Sequence, residues 1–185
     1  MKTNLREKEF NLQEQSYDID KELKAIKILN DKTPSGIFFE KNDNDYGVDV
    51  LVYYITRDNF KRHLFNIELE FYTGKWGKKD KPFWHEISLL MRKLYEWDNA
   101  NILFTKEPKK GYKKTFYMKF NKNLTNCFLV RNLHVIKNGY ESRRSNRKRF
   151  NDGLMALKID DPKVIWGLEE SLNKINKILK RGMEI

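Results

Sequence analysis

Apolar residues recur along the first third of the chain in two different rhythms. Between Asp18 and Leu29 they return every three or four residues, at Ile19, Leu23, Ile26 and Leu29. Residues with this spacing lie on one face of a helix, so the segment is predicted to form an amphipathic helix. The polar stretch before it, residues 1–15, is predicted to be an N-terminal arm.

Three segments rich in β-branched and aromatic residues come next. They cover Ile37–Glu40, Tyr46–Ile55 and Leu64–Tyr72, with turn-forming residues between them. Branched and aromatic side chains favour strands, whereas Asn, Asp and Gly favour the turns that join them. We therefore predict three consecutive strands joined by two hairpins.

The second half of the chain is predicted to contain one more helix and several strands. The apolar positions of Trp84–Trp97 form a helical stripe, which should pack on the sheet. Strands are expected at Asn101–Thr105 and Thr115–Phe120, with one or two more within Cys127–Ile136.

A terminal helix is predicted to begin at Asp161 and Pro162, which suit an N-cap and a first helical turn. Apolar residues then recur at helical spacing up to a stop near Gly182: Val164, Ile165, Leu168, Leu172, Ile175 and Leu179. This stripe either docks on the chain's own domain or forms a contact between two copies of the chain.

Three carboxylates interrupt the apolar pattern of two predicted strands. Asp49 lies within Tyr46–Ile55, and Glu68 and Glu70 lie within Leu64–Tyr72. Side chains two apart in a strand share a face, so Glu68 and Glu70 point the same way. An ionised carboxylate among apolar neighbours is costly unless it is paired, hydrogen-bonded or bound to a cation. Three such acids favour a divalent metal ion, and the alternative is pairing with buried basic residues.

The composition is that of one domain of ordinary size with a strong positive charge. The chain has 185 residues, and 37 Lys and Arg against 26 Asp and Glu give a net charge of +11. A single cysteine excludes an internal disulfide, and no apolar stretch has the character of a signal peptide or a membrane span. We therefore expect a soluble, intracellular protein of the cytoplasm with no membrane partner.

The positive charges fall in three clusters. They comprise Lys75, Lys78, Lys79 and Lys81; Lys106, Lys109, Lys110, Lys113 and Lys114; and Lys137, Arg143, Arg144, Arg147, Lys148 and Arg149. Such clusters attract polyanions through counterion release. The lysine clusters have a second explanation as solvated surface, whereas arginine favours bidentate contact with phosphate. Nucleic-acid contacts are expected at Lys75, Lys78, Lys79, Arg143, Arg144, Arg147, Lys148 and Arg149.

The order helix, three strands, helix, strand, with an acid on the second strand and Glu-x-Glu on the third, resembles the PD-(D/E)xK nuclease superfamily. The residues concerned are Asp49 and Glu68-Leu69-Glu70, and the resemblance covers roughly residues 18–105. It implies a mixed α/β fold of the restriction endonuclease-like type, with a central mixed sheet flanked by helices. Residues 106–160 would add basic strands and loops and residues 161–182 a terminal helix, within one nuclease-like domain of residues 16–185.

The same resemblance implies a metal-dependent endonuclease that hydrolyses phosphodiester bonds. Asp49, Glu68 and the backbone carbonyl of Leu69 would bind Mg²⁺, for which Mn²⁺ can substitute, and the metal would activate a water molecule. Small basic members of the superfamily include junction-resolving and phage-type endonucleases. That comparison implies DNA, including branched or mobile-element DNA, with RNA as the other substrate class. Two symmetric cuts in a duplex would require a homodimer.

Glu70 departs from the family pattern, which usually places a lysine at this position, and three explanations are open. Glu70 binds a second metal ion or acts as a general base. Alternatively, a lysine from elsewhere supplies the ammonium group, with Lys93 on the predicted helix as first candidate and Lys75 as second. In the third explanation the fold is kept and cleavage is lost. Glu22 of the first helix is a further candidate, with surface charge as its simpler explanation.

Motifs of several other enzyme classes are missing from the sequence. It contains no phosphate-binding P-loop, no Gly-x-Ser-x-Gly elbow and no dinucleotide fingerprint, and its three histidines share no zinc-ligand spacing. The alternative to a nuclease is a catalytically inactive nuclease fold or an unrelated basic nucleic-acid-binding protein. Such a binder would have no reason to keep carboxylates near a polyanion.

Overall fold

The computed structural model describes residues 12–34, 36–43, 48–72, 86–98, 103–142 and 153–183, together with Trp76. The elements in chain order are α1 (Leu12–Asp31), β1 (Ile37–Lys41), β2 (Val50–Ile55), β3 (Lys61–Phe71), β4 (Glu86–Leu90), β5 (Tyr95–Asp98), β6 (Leu103–Pro108), β7 (Thr115–Phe120), β8 (Cys127–Arg131), α2 (Asn132–Asn138), β9 (Tyr140–Glu141), β10 (Leu154–Lys158), β11 (Ile165–Trp166) and α3 (Leu168–Met183). Short 3₁₀ turns at Met91–Lys93 and Tyr112–Lys114 precede β5 and β7.

Six strands form a central mixed sheet in the order β1-β2-β3-β7-β8-β11. The first three strands are an antiparallel meander, as the sequence predicts. β7 lies parallel to β3, with Glu68 opposite Tyr117, and β8 and β11 follow in antiparallel pairing. These observations confirm a mixed α/β fold with a central mixed sheet flanked by helices, additional C-terminal strands and a terminal helix.

One side of this sheet, here called the helical face, packs against α1 and α3. Leu29 of α1 and Ile175 of α3 are completely buried there against strand residues such as Ile67. Each fully buried Leu or Ile side chain contributes about 1.5–3 kcal/mol relative to its exposed state. The helical face is therefore the principal hydrophobic core.

The other side of the sheet, here called the opposite face, carries a second core over β7 and β8. Tyr117 and Phe128 are buried there against Ile87 of β4, Val135 of α2 and Leu157 of β10. β4 pairs with β10, and β10 with β9, in a separate three-stranded sheet. The neighbouring residues Ile67 and Leu69 point into the core of the helical face. Because side chains alternate along a strand, Glu68 and Glu70 point to the opposite face.

The helix predicted at 84–97 is wrong over the part of it that the structure describes. Glu86–Leu90 forms β4, a single 3₁₀ turn follows at Met91–Lys93, and β5 comes next. Ile87 and Leu89 are buried and alternate with partly exposed Glu86 and Ser88, Leu90 is buried as well, and β10 pairs along the whole of β4. A short apolar run fits a helix or a strand equally well until its partner strand is known.

The strand predicted around Asn101–Thr105 does not join the central sheet. β6 pairs with β5 in a two-stranded ribbon, and the strand beside β3 is β7. The Cys127–Ile136 segment contains one strand, β8, and then turns into α2. The core of the sheet thus extends beyond the 18–105 range that the family resemblance covers.

Both helix starts differ from those predicted. α1 begins at Leu12, inside the segment assigned to the arm, and α3 begins at Leu168 instead of Asp161. Asp161 is in a turn, where it accepts the N–H of Lys163 at 2.8 Å and contacts His134 Nε2 at 3.0 Å. The apolar stripe of α3 docks on its own domain, so it is not available as a dimer contact. Within the described ranges, no helix combines the length and apolar character needed to cross a bilayer.

Candidate active site

Asp49 lies at a bend directly before β2, and not at the centre of a strand as predicted. Its Oδ2 accepts the backbone N–H of Leu69 at 2.6 Å. β3 continues beyond the point where β2 begins, so Leu69 has no backbone partner in β2. The Asp49 carboxylate accepts its N–H instead. The N–H and C=O of one strand residue point to the same neighbour, which directs the Leu69 carbonyl toward the Asp49 side.

Glu68 occupies the middle of β3 and is only 1% exposed. Burial raises the pKa of Glu68 to about 7, because the charged form loses its hydration, and the nearby Asp49 carboxylate acts in the same direction. Lys93 and Lys109 oppose this shift. Glu68 is therefore a buried acid that changes its charge near neutral pH.

Lys93 brings an ammonium group to both acids. Its Nζ contacts Asp49 Oδ2 and lies 3.1 Å from Glu68 Oε2. Lys109, from the turn after β6, approaches Glu68 Oε1 at 3.8 Å. Both carboxylates are thus within reach of one cation, which places them at a common point on the opposite face.

The 3₁₀ turn that carries Lys93 is attached to the sheet by polar contacts. The N–H of Leu90 donates to the Tyr117 hydroxyl at 3.3 Å, and the side chain of Asn132 approaches the carbonyl of Lys93 at 3.5 Å. Tyr117 and Asn132 are themselves buried. Lys93 is the lysine that the sequence interpretation favoured, and it reaches the acids from this turn instead of from a helix.

Glu22 approaches the same cluster from α1. Its carboxylate lies 3.6 Å from Lys41 Nζ, and its side chain is 17% exposed. Burial raises the pKa of Glu22, Asp49 adds to the effect, and Lys41 and Lys93 oppose it. Glu22 is therefore close enough to Asp49 to belong to the electrostatic environment of the site.

Glu70 has a different partner. Its Oε1 is 2.7 Å from Lys119 Nζ, and Lys119 also donates to the carbonyl of Ser88 at 3.2 Å. Both side chains are largely buried, and Glu70 Oε2 is buried with no hydrogen bond to a described residue. Glu70 therefore links β3 and β7 to β4 through an ion pair.

The donor set formed by Asp49, Glu68 and Leu69 suits Mg²⁺. This ion binds oxygen, usually through one or two carboxylates with water and substrate phosphate completing the shell. Both Glu68 oxygens are buried, and their contacts are with ammonium groups instead of well-aligned hydrogen-bond donors. No group of three or more His, Cys, Asp or Glu side chains with a metal-site arrangement occurs among the described residues. A single ion held by two carboxylates and a carbonyl is what these residues fit.

All of the predicted nucleic-acid contacts lie outside the described residues and stay predictions: Lys75, Lys78, Lys79, Arg143, Arg144, Arg147, Lys148 and Arg149. Lys75, the second candidate for the active-site lysine, is one of them. The sequence interpretation did not assign Lys109 or Lys119 to the acids. Lys109 stood out only as a member of a lysine cluster, and Lys119 could have been found by pairing Thr115–Phe120 directly with the acidic strand.

Comparisons with known proteins add one weak similarity. No family model and no curated protein matches the chain. The solved structure of D212, a nuclease from a fusselovirus, is similar to this chain with a TM-score of 0.46 at 11% sequence identity. The match covers 94% of this chain and 96% of that one. The functional assignment therefore depends on the geometry of the acidic site.

Proposed function

We propose that this protein is a Mg²⁺-dependent endonuclease that hydrolyses phosphodiester bonds in DNA, with RNA as a second substrate class. The observation that carries the proposal is the convergence of Asp49 and the buried Glu68 on one point in a chain of net charge +11. A positively charged protein attracts a polyanion. Carboxylates close to that polyanion repel its phosphates unless a cation lies between the two. Mn²⁺ is expected to substitute for Mg²⁺.

Each residue of the site has a chemical role in this proposal. The carboxylates of Asp49 and Glu68 and the carbonyl of Leu69 would hold the ion. When bound, Mg²⁺ would lower the pKa of a coordinated water molecule and neutralise charge on the phosphate. Lys93 would orient the attacking water and stabilise negative charge as it develops. It would thus serve in place of the lysine that the family pattern has at the position of Glu70. We assign Glu70 to holding Lys119 and not to the metal.

A second candidate is a nucleic-acid-binding protein without catalysis. The observation that favours it is the presence of two lysines, Lys93 and Lys109, against two carboxylates, Asp49 and Glu68. Such a cluster is balanced in charge without any metal. The decisive experiment incubates the purified protein with linear, branched and single-stranded DNA and with RNA, in Mg²⁺, Mn²⁺ or EDTA. Cleavage in either metal supports the nuclease, and intact substrate in every reaction supports the binder.

Replacing Lys93 with methionine is expected to lower the cleavage rate by about 10²–10³-fold, because a preorganised charge near the reacting phosphate is lost. The same substitution should tighten Mn²⁺ binding, since the ammonium group no longer competes for Asp49 and Glu68. Cleavage rates and calorimetric Mn²⁺ titrations test the two effects separately. An unchanged Mn²⁺ affinity would show that the Lys93 ammonium group does not compete with the ion for Asp49 and Glu68.

The matched control is Lys27→Met, at a side chain that is 76% exposed and paired with Asp31 on α1. It should alter neither rate nor metal affinity. Unfolding in EDTA must be followed in parallel, because removing one partner of a buried ion pair destabilises a protein by about 3–5 kcal/mol. Lower stability with an unchanged rate would remove Lys93 from the catalytic machinery.

Replacing Glu70 with glutamine should reduce stability more than activity. The substitution leaves the buried Lys119 without its counter-charge, at a cost of about 3 kcal/mol. Urea unfolding and cleavage rates measured on the same preparation separate the two quantities, with Glu169→Gln on the exposed side of α3 as control. A rate reduced a hundredfold or more in a stable variant would instead make Glu70 a metal ligand or general base.

A further inference from the structure

Three aromatic rings form a row across the first three strands of the sheet. Phe38 of β1 is the register partner of Tyr53 of β2, and Tyr53 is the partner of His63 of β3. The rings of Tyr53 and His63 meet edge to face, with centroids 5.5 Å apart. Register partners point to the same side of a sheet, so the three rings share one surface. We call Phe38, Tyr53 and His63 the aromatic row.

The aromatic row lies on the opposite face, on the same side as Glu68. Phe39 and Val52, which flank it along β1 and β2, are buried in the core of the helical face, so Phe38 and Tyr53 point away from α1 and α3. In contrast to the region over β7 and β8, this part of the face is accessible. Phe38 is 41% exposed, and His63 is exposed as well.

Basic side chains border the aromatic row at the β2–β3 hairpin. Lys61 Nζ lies 4.1 Å from the centroid of the Tyr53 ring and also contacts Glu40 of β1, whereas the next residue, Arg62, is exposed. Phe60, in the turn of this hairpin, is 72% exposed. Exposed rings interleaved with cations match a ligand that has flat aromatic groups and negative charge, which is the chemistry of an unpaired nucleic-acid strand.

The strands carry this surface directly to the acids. Leu51, two residues before Tyr53 in β2, pairs with Asn66 of β3, and Asp49 comes two residues before Leu51. The four residues from Tyr53 to Asp49 span about 13 Å along a strand. A nucleic-acid strand whose bases stack on the aromatic row would therefore reach Asp49 and Glu68 with a phosphate that lies a few nucleotides further along.

We infer that the exposed face of β1–β3 binds unpaired nucleotides by stacking their bases on Phe38 and Tyr53, so that the proposed nuclease acts on single-stranded segments. The inference rests on the proposed function for the cleavage step, and its binding step is independent of catalysis. A duplex keeps its base faces stacked inside, and it presents only phosphates and base edges to this surface. The aromatic row thus selects for unpaired strands.

The test measures binding of a labelled single-stranded oligonucleotide and of the matching duplex by fluorescence anisotropy in EDTA, where no cleavage occurs. Phe38→Ala and Tyr53→Ala are each expected to weaken single-strand binding about tenfold while leaving duplex binding unchanged. Phe38→Trp, which keeps an aromatic face, should bind as tightly as the parent protein. Leu23→Ala is the matched control, because Leu23 is an apolar side chain 50% exposed on α1, which packs on the other side of the sheet from the aromatic row.

Unchanged single-strand affinity in both alanine variants, or an equal loss for duplex, would overturn the inference. Thermal unfolding of each variant confirms that the fold is intact, and the tryptophan variant gives a second measurement if an alanine variant fails to fold. Cleavage in Mg²⁺ then separates the two proposals. A protein that stacks single strands but cuts nothing refutes only the nuclease, whereas one that cuts single strands with the row removed refutes only the stacking surface.

Discussion

Replacing Asp49 with asparagine is expected to lower Mg²⁺-dependent cleavage by about a thousandfold or more, while DNA binding persists or tightens. The amide retains the shape of the side chain, and its oxygen can still accept the N–H of Leu69. What it lacks is the negative charge that attracts the ion. Loss of that charge also removes a repulsion toward the phosphate backbone, which explains the expected gain in binding. Glu68→Gln should behave in the same way.

The measurement is single-turnover cleavage of labelled DNA in Mg²⁺, paired with binding in EDTA. Asp20→Asn and Glu169→Gln change exposed acids on α1 and α3 by the same chemistry and should leave both quantities unaltered. Cleavage by Asp49→Asn at the rate of the parent protein would rule out the metal site. A joint loss of cleavage, binding and folded structure would assign Asp49 to stability through its bond with Leu69.

The folded protein without metal should become less stable as pH rises from about 4.5 to about 7, and Glu68 should be the cause. The folded-state pKa of Glu68 is about 7, against the ordinary value of 4.5. Between these values the folded state binds more protons than the unfolded state, so the free energy of unfolding falls with rising pH. A difference of this size corresponds to about 3 kcal/mol over the whole interval.

Urea unfolding in EDTA at pH 4.5, 6, 7 and 8 tests this expectation. Glu68→Gln should flatten the pH dependence and exceed the parent protein in stability at pH 8, whereas Glu169→Gln should leave the slope as it is. Mg²⁺ should restore stability to the parent protein at pH 8 and not to Glu68→Gln, because the ion binds the ionised carboxylate. An identical slope in the parent protein and Glu68→Gln would place the titrating group elsewhere.

The sequence was sufficient for the parts of the fold that depend on neighbouring residues. The meander β1–β3 followed from alternation and turn residues, and the convergence of Asp49 and Glu68 followed from pairing two adjacent strands. The α1 helix over Asp18–Leu29 was predicted from its apolar spacing, but of the four residues in that spacing only Ile26 and Leu29 are buried, whereas Ile19 and Leu23 are exposed. These features share one cause: each periodicity is set by contacts within a hairpin or a single helix.

The features that the sequence did not predict depend on distant partners. β4 is a strand because β10, more than sixty residues later in the chain, pairs with it. β7 lies beside β3 because a long crossover returns the chain in parallel, which no local pattern encodes. Asp161 had the residue types of a helix start, yet its contacts with Lys163 and His134 fix a turn instead. Lys109 was missed for the same reason. It lies in the long connection between β3 and β7, and its contact with Glu68 depends on how that connection folds back on the sheet.

The two contacts of Asp49 close chain loops of different length. Asp49 and Leu69 are 20 residues apart in the chain, whereas Asp49 and Lys93 are separated by 44. Closing the longer loop costs more entropy, so the hairpin of β2 and β3 can bring the carboxylates together before the lysine docks. During that interval the acids repel each other with no ammonium group between them. The burial that raises the pKa of Glu68 is completed only when the segment that carries Lys93 packs over it, so the acid acquires its raised pKa and its ammonium partner in the same step.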